Sequence, residues 1–241
     1  MKLLLKLMLL SLIITGCGKS ITEAEIDKYV AEKASPEEVY DITISPRYSK
    51  GEEVVQVITY EKEGELIMVA EEYADAFSYT YRSIFYKEAE PVYITEYAED
   101  FSNNEEWYME RKIYLNYGDY LKGYEKKTAT MEDLDVVGFK VKDIDIENYS
   151  FDHYADAIKQ KGIYEMKFGE FLEYPGQTFL ILENKESGYN AAYMILEADQ
   201  FLNNLYEQQE AYQGKTIVVY PKFQTIAGIE RMIYGGGELR D

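Results

Sequence analysis

The sequence predicts an α+β fold: mainly antiparallel β-sheet, with a short N-terminal helix and helices in the C-terminal third. Three observations carry this reading. Residues 53–127 alternate with period two, residues from about 149 shift to helical spacing, and Thr22 with Glu25 has the signature of a helix start.

The first helix begins at that capping box, where a Thr hydroxyl and a Glu carboxylate each satisfy a free backbone N–H. Ile26, Tyr29 and Val30 recur on one helical face, and Ser35-Pro36 ends the run because proline cannot continue it. Two strands, Val54 to Tyr60 and Glu65 to Glu71, flank the tight-turn segment EKEG. The stretch AFSYTYRSIFYK then sets Phe77, Tyr79, Tyr81 and Phe85 on one face.

The next two strands define a register. Val92, Ile94, Glu96 and Ala98 alternate with Tyr93, Thr95 and Tyr97, and Trp107, Met109, Arg111, Ile113 and Leu115 alternate with Tyr108, Glu110, Lys112 and Tyr114. Both apolar sets share a side only if paired residue numbers have an odd sum. Centring the loop on 99–106 pairs Val92 with Leu115, Ile94 with Ile113 and Ala98 with Met109. It also sets Glu96 against Arg111, and a charge on a dry face is tolerable when paired. The other face pairs Tyr93 with Tyr114 and Thr95 with Lys112. This wetter, tyrosine-lined face makes Tyr93, Tyr97, Tyr108 and Tyr114 the candidate ligand-binding residues.

Beyond residue 148 the pattern changes. Ser150 can cap a helix reaching Lys161 and closed by Gly162. YPGQ, residues 174–177, suits a type II turn between two strands. Ala198, Phe201, Leu202, Leu205 and Tyr206 form a helical stripe that stops at Gly214. TIVVYP reads as a short buried strand, Ile226 to Tyr234 as a last helix, and GGGELRD as a frayed end. The seam separates a β-rich region, 37–148, from an α+β region, 149–241, as two domains or two halves of one.

Composition bounds the function. The 241 residues carry 45 acidic and 25 basic side chains, a formal charge of −20, with 25 tyrosines against 10 phenylalanines and one tryptophan. Such acidity argues against nucleic acid, whose phosphates need a basic footprint, and against electrostatic attraction to an anionic bilayer.

The amino terminus supplies an address. Lys2 and Lys6 precede an apolar stretch from Leu7 to Ile14, broken by Ser11 alone and shorter than the roughly 20 residues of a membrane span. This is the layout of a secretory signal. Its end, Ile14-Thr15-Gly16-Cys17, resembles the lipobox of bacterial lipoproteins over about the first 20 residues. The resemblance implies a signal peptide at 1–16, removed ahead of a diacylglyceryl-modified Cys17, with residues 17–36 forming the lipidated start and first helix. The protein would then be held to the cell membrane by lipid, facing the extracytoplasmic side. Losing Lys2 and Lys6 takes the formal charge from −20 to −22. Cys17 is the one cysteine, so there is no disulfide and the core must provide stability.

Tests for chemistry assign no catalytic residue, cofactor or metal. His153 is the one histidine and reads as a surface side chain beside Asp152 and Asp156, while zinc lacks Cys and His ligands. QGKT at 213–216 resembles the end of a P-loop but follows a helix instead of a strand. Asp133, Asp135 and Gly138 have calcium-loop spacing, yet Val137 and Ile144 replace two ligands. Glu105 and Glu106 beside Trp107 resemble a sugar site, although Trp107 shares the apolar face. Lys122, Lys126 and Lys127 among Tyr117, Tyr120 and Tyr124 break the acidity and read as a solvated hairpin tip. The expected function is a non-enzymatic, membrane-anchored lipoprotein binding a ligand or an envelope protein or glycan. The alternatives are a carboxylate-dependent hydrolase of envelope glycans and, more weakly, a lipid carrier with an apolar cavity.

Overall fold

A computed structural model describes residues 19–102 and 106–240. The capping box forms as expected: helix α1 (Glu23–Lys33) starts at Thr22, whose hydroxyl accepts from the Glu25 N–H while the Glu25 side chain accepts from the Thr22 N–H. Short strands β1 (Asp41–Ile44) and β2 (Tyr48–Lys50) lead into six long ones. These are β3 (Glu53–Lys62), β4 (Glu65–Ala74), β5 (Ser78–Lys87), β6 (Glu90–Asp100), β7 (Trp107–Asn116) and β8 (Asp119–Thr128). Each pairs antiparallel with the next, giving a meander.

Three of its hairpins repeat one device at one end of the sheet. Glu63-Gly64, Glu88-Ala89 and Tyr117-Gly118 are two-residue turns with both φ angles positive, the turn whose twist matches paired strands. Beside each turn the partner strand carries an extra residue. Tyr60 and Glu61 pair with Met68 and Leu66, Phe85 and Tyr86 with Tyr93 and Pro91, and Tyr114 and Leu115 with Lys122 and Tyr120. Ile67, Val92 and Leu121 are therefore bulge residues, which add local twist.

The β6–β7 register is the one derived from the sequence, from Tyr93 opposite Tyr114 through Glu96 opposite Arg111 to Ala98 opposite Met109. The Val92–Leu115 pair is not part of it. The bulge turns Val92 into one core while Leu115 stays in the other.

After β8 the chain folds over one face as α2 (Met131–Leu134), rounds the sheet edge at β9 (Lys140–Val141), and returns across the opposite face. That returning segment includes a 3-10 turn (Ile146–Asn148), α3 (His153–Lys159) and a second 3-10 turn (Gly162–Tyr164). Helix α3 is shorter than expected. Asp152 stands at its start without a side-chain cap bond, and Gln160 closes it in the left-handed region at φ 52°. The Gln160 side chain is buried; its Nε2 donates to the Val219 carbonyl at 2.8 Å and its Oε1 accepts from the Val219 N–H at 3.1 Å.

Strands β10 (Lys167–Tyr174), β11 (Gln177–Glu183) and β12 (Asn190–Ile195) extend the same sheet, β12 joining β2 at Asn190–Ser49. The turn at Pro175-Gly176 joins β10 to β11 as expected, Gly176 taking φ 79°. Helix α4 (Gln200–Glu207) buries Leu202 and Leu205 of the expected stripe, and the short α5 (Gln209–Tyr212) follows it. The C terminus corrects the sequence reading. Residues expected as a last helix and a frayed tail form a hairpin, β13 (Ile217–Ile226) and β14 (Ile229–Leu239), around Ala227-Gly228 with both φ positive. Ile226, Ile229 and Ile233 have helical spacing, but the turn-forming Ala-Gly pair prevails.

The main core lies on the face crossed by the returning segment. There Val57, Val69, Ile84, Ile94, Ile113 and Leu115 meet Tyr149, Ala157, Tyr164 and the β10–β14 elements. A smaller core, Ile21, Ile26, Phe85, Val92, Tyr93 and Tyr114, lies under α1 on the other face. No helix among the described residues is long and apolar enough to cross a membrane.

Candidate functional site

The main-core face carries a row of charges running strand to strand. Glu71 on β4 is opposite Arg82 on β5, Arg82 opposite Glu96 on β6, Glu96 opposite Arg111 on β7, and Arg111 opposite Glu125 on β8. The side chains join accordingly. Arg82 Nη1 donates to Glu71 Oε2 at 3.2 Å, and its Nη2 and Nε to Glu96 Oε2 at 2.8 and 3.0 Å. Arg111 Nη1 donates to Glu96 Oε1 at 3.1 Å and its Nε to Glu125 Oε2 at 2.8 Å. Both Glu96 oxygens thus accept from arginines. Glu71 and Glu96 are buried, a placement carboxylates tolerate only when paired. Burial works against the charge on Arg82, but Glu96 and Glu71 outweigh it and raise its pKa.

The returning segment meets this ladder in chain order. Lys142 Nζ reaches 4.0 Å from Glu125 Oε1, Tyr149 OH donates to Glu96 Oε1 at 3.4 Å, and His153 Nε2 lies 2.9 Å from Glu71 Oε1. Tyr149 also lays its ring on Arg82, 4.4 Å from the guanidinium carbon. His153 is therefore no free surface side chain, contrary to the sequence reading. Glu71 raises its pKa, burial opposes, and the Ser150 carbonyl adds to the rise. Gly123 on β8 lets the segment pass: a β-carbon there would stand 2.7 Å from the Lys142 carbonyl oxygen and 2.7 Å from Ile144 Cδ1.

Between the ladder and this segment lies an open cleft of about 400 Å³. Arg82, Glu96 and Arg111 line its floor, Trp107 one wall, and Asp143 and Tyr149 the crossing segment. Trp107 lies on the apolar face as expected but is only half-buried, with Lys127 Nζ 3.8 Å from its ring centre. Glu105 lies outside the described residues.

The four candidate tyrosines separate into two pairs. Tyr93 and Tyr114 are buried beneath α1, their rings edge to face at 4.9 Å, and Tyr114 OH donates to Asp27 at 2.7 Å. Helix α1 covers the half of the face that strand alternation alone marked as wet. Tyr97 and Tyr108 stay half-buried beyond its reach. The basic residues belong to the body of β8 rather than a hairpin tip. Lys122 pairs with Glu23, Lys126 with Glu110, and Lys127 covers Trp107. Cys17, the expected lipidation site, lies outside the described residues. Comparison with protein-family models, curated proteins and solved structures finds no match to this chain.

Proposed function

We propose that this protein is a membrane-anchored extracytoplasmic lipoprotein, held by a lipid on Cys17, that binds an envelope ligand or partner without catalysing a reaction. The observation that carries the reading is the closeness of the lipobox-like cysteine to the folded body. Ile21 is four residues on from Cys17 in sequence, a reach of at most about 14 Å. The Ile21 N–H binds Asn116 Oδ1 at 3.0 Å, and Lys19 meets Glu88 and Tyr117, all at the sheet end holding the three repeated turns. A lipid on Cys17 would bring that end to the bilayer and turn the opposite end outward. Two acyl chains are enough for stable attachment.

Binding is favoured over hydrolysis by the ladder. A glycan hydrolase needs one carboxyl to give a proton and another to act as base or nucleophile. In the cleft, Glu96 has both oxygens committed to arginines. The test is metabolic labelling with radioactive fatty acid alongside membrane fractionation. Wild-type protein should carry label and sediment with membranes, and Cys17→Ser should accumulate as an uncleaved precursor without label; label retained by Cys17→Ser would overturn the anchor.

A further inference from the structure

On the face opposite the ladder, α1 covers the turn end and α2 covers β7–β8, leaving a window over β4–β6. One row across it reads Glu72, Tyr81, Tyr97, Glu110 from β4 to β7; the next sets Tyr79 and Tyr108 on either side of Glu99. Tyr81 is exposed, and Tyr79 and Tyr97 are half-buried with ring centres 6.3 Å apart. Tyr97 OH donates to Glu99 Oε2 at 3.2 Å. Among the described residues, neither Glu72 nor Glu99 forms an ion pair with a lysine or arginine. On the other face, each carboxylate of the ladder is matched by an arginine.

We propose that this window is a docking surface for an extended basic segment of a partner polypeptide, whose arginines or lysines stack on Tyr79 and Tyr97 and reach Glu72 and Glu99. The argument is charge complementarity at matched spacing. Tyrosine faces attract cations, carboxylates beside the rings complete the pairing, and the chain's net charge of −20 adds long-range attraction. An extended chain presents same-side side chains about every 6.6–6.8 Å, close to the Tyr79–Tyr97 ring spacing. This inference deepens the binding reading above and rests on it only for the presence of a partner.

The test is a fluorescence titration of the full-length protein in mild detergent with a 12-residue peptide alternating arginine and alanine. An acidic peptide of equal length and a neutral oligosaccharide serve as comparisons. Saturable binding is expected for the basic peptide alone, weakening roughly tenfold or more with Tyr97→Ala and with Glu72→Gln plus Glu99→Gln. The second variant keeps every ring and guards against a folding defect in the first. Glu207→Gln plus Glu210→Gln, on the exposed side of α4 and α5, should leave binding unchanged. Absence of binding, preference for either comparison ligand, or equal weakening by the distant pair would overturn the proposal. Cys17→Ser should bind as wild type does, so a failed titration and a failed lipid label are separate results.

Discussion

His153 Nε2 faces Glu71 Oε1 at 2.9 Å, so the one histidine of the chain ends a row of alternating charges that crosses five strands. Tyr73 OH lies 2.7 Å from the same nitrogen, and Arg82 stands behind Glu71. Within the row itself the protonated ring balances three carboxylates against two arginines and one imidazolium, with Lys142 4.0 Å from Glu125 at the far end.

That pairing gives stability a defined pH dependence. The folded-state pKa of His153 is raised, chiefly by Glu71. Its contribution is therefore complete below the unfolded value of about 6.5 and lost as pH rises through the folded value. Urea unfolding across pH 5.5–8.5 should show falling stability on the alkaline side. His153→Gln should flatten that slope and cost about 1–3 kcal/mol at pH 6, as expected when a buried acceptor loses a partner. An unchanged slope would mean that the histidine does not sense Glu71.

Glu96 is the centre of the ladder. Glu96→Gln should destabilise toward the lower end of the roughly 3–5 kcal/mol typical of a broken buried pair, because Arg111 keeps 28% exposure. Replacing Glu96 and Arg111 together by leucine would rescue an isolated pair. Here it leaves Arg82 and Glu125 each short of a partner, so the double variant should stay clearly less stable than wild type. Full recovery in denaturant titrations would show that the rungs act independently.

Gly123→Ala should act through the crossing segment. The new methyl meets the Lys142 carbonyl and Ile144, so the segment must lift, at a cost of about 1–3 kcal/mol for overpacking. Limited proteolysis should then cut within residues 142–150 sooner than in wild type. Unaltered cleavage would argue that the segment is held elsewhere.

Ala89 offers a gain. It takes φ 66° in a turn position that glycine fills in the two sister hairpins, as Gly64 and Gly118. A left-handed residue with a β-carbon costs roughly 1–2 kcal/mol, so Ala89→Gly should stabilise by about 1 kcal/mol after the extra unfolded-chain entropy is subtracted. A lower melting temperature would contradict the turn assignment.

Much of the meander was legible because a half-buried strand must alternate and the two-residue turns have a recognisable chemistry. The Glu96–Arg111 rung could be derived because one loop set one register. The Arg82–Glu96 and Arg111–Glu125 rungs could not, since the bulges at Val92 and Leu121 break the simple numbering that relates those strands. The usable signal was one charge within an alternating apolar row: Glu71, Arg82, Glu96 and Arg111 each stand so. Tyr149 and His153 escaped the reading because their partners lie far back in the chain. The tyrosine face was half misjudged for a related reason. Alternation tells which residues share a side of a sheet, but not that a distant helix will lie over Tyr93 and Tyr114.

The neighbour-to-neighbour meander also dictates an order of assembly. A chain made from its amino terminus can zip β3 to β8 one hairpin at a time, since each strand pairs with the one just made. Each arginine then arrives on a carboxylate already waiting, so a new rung never leaves more than one unmatched charge at the growing edge. The segment from Lys142 to His153, and the closure of β12 onto β2, have to come afterwards. A nascent chain halted near residue 128 would therefore present a formed sheet with its charged row still open to water.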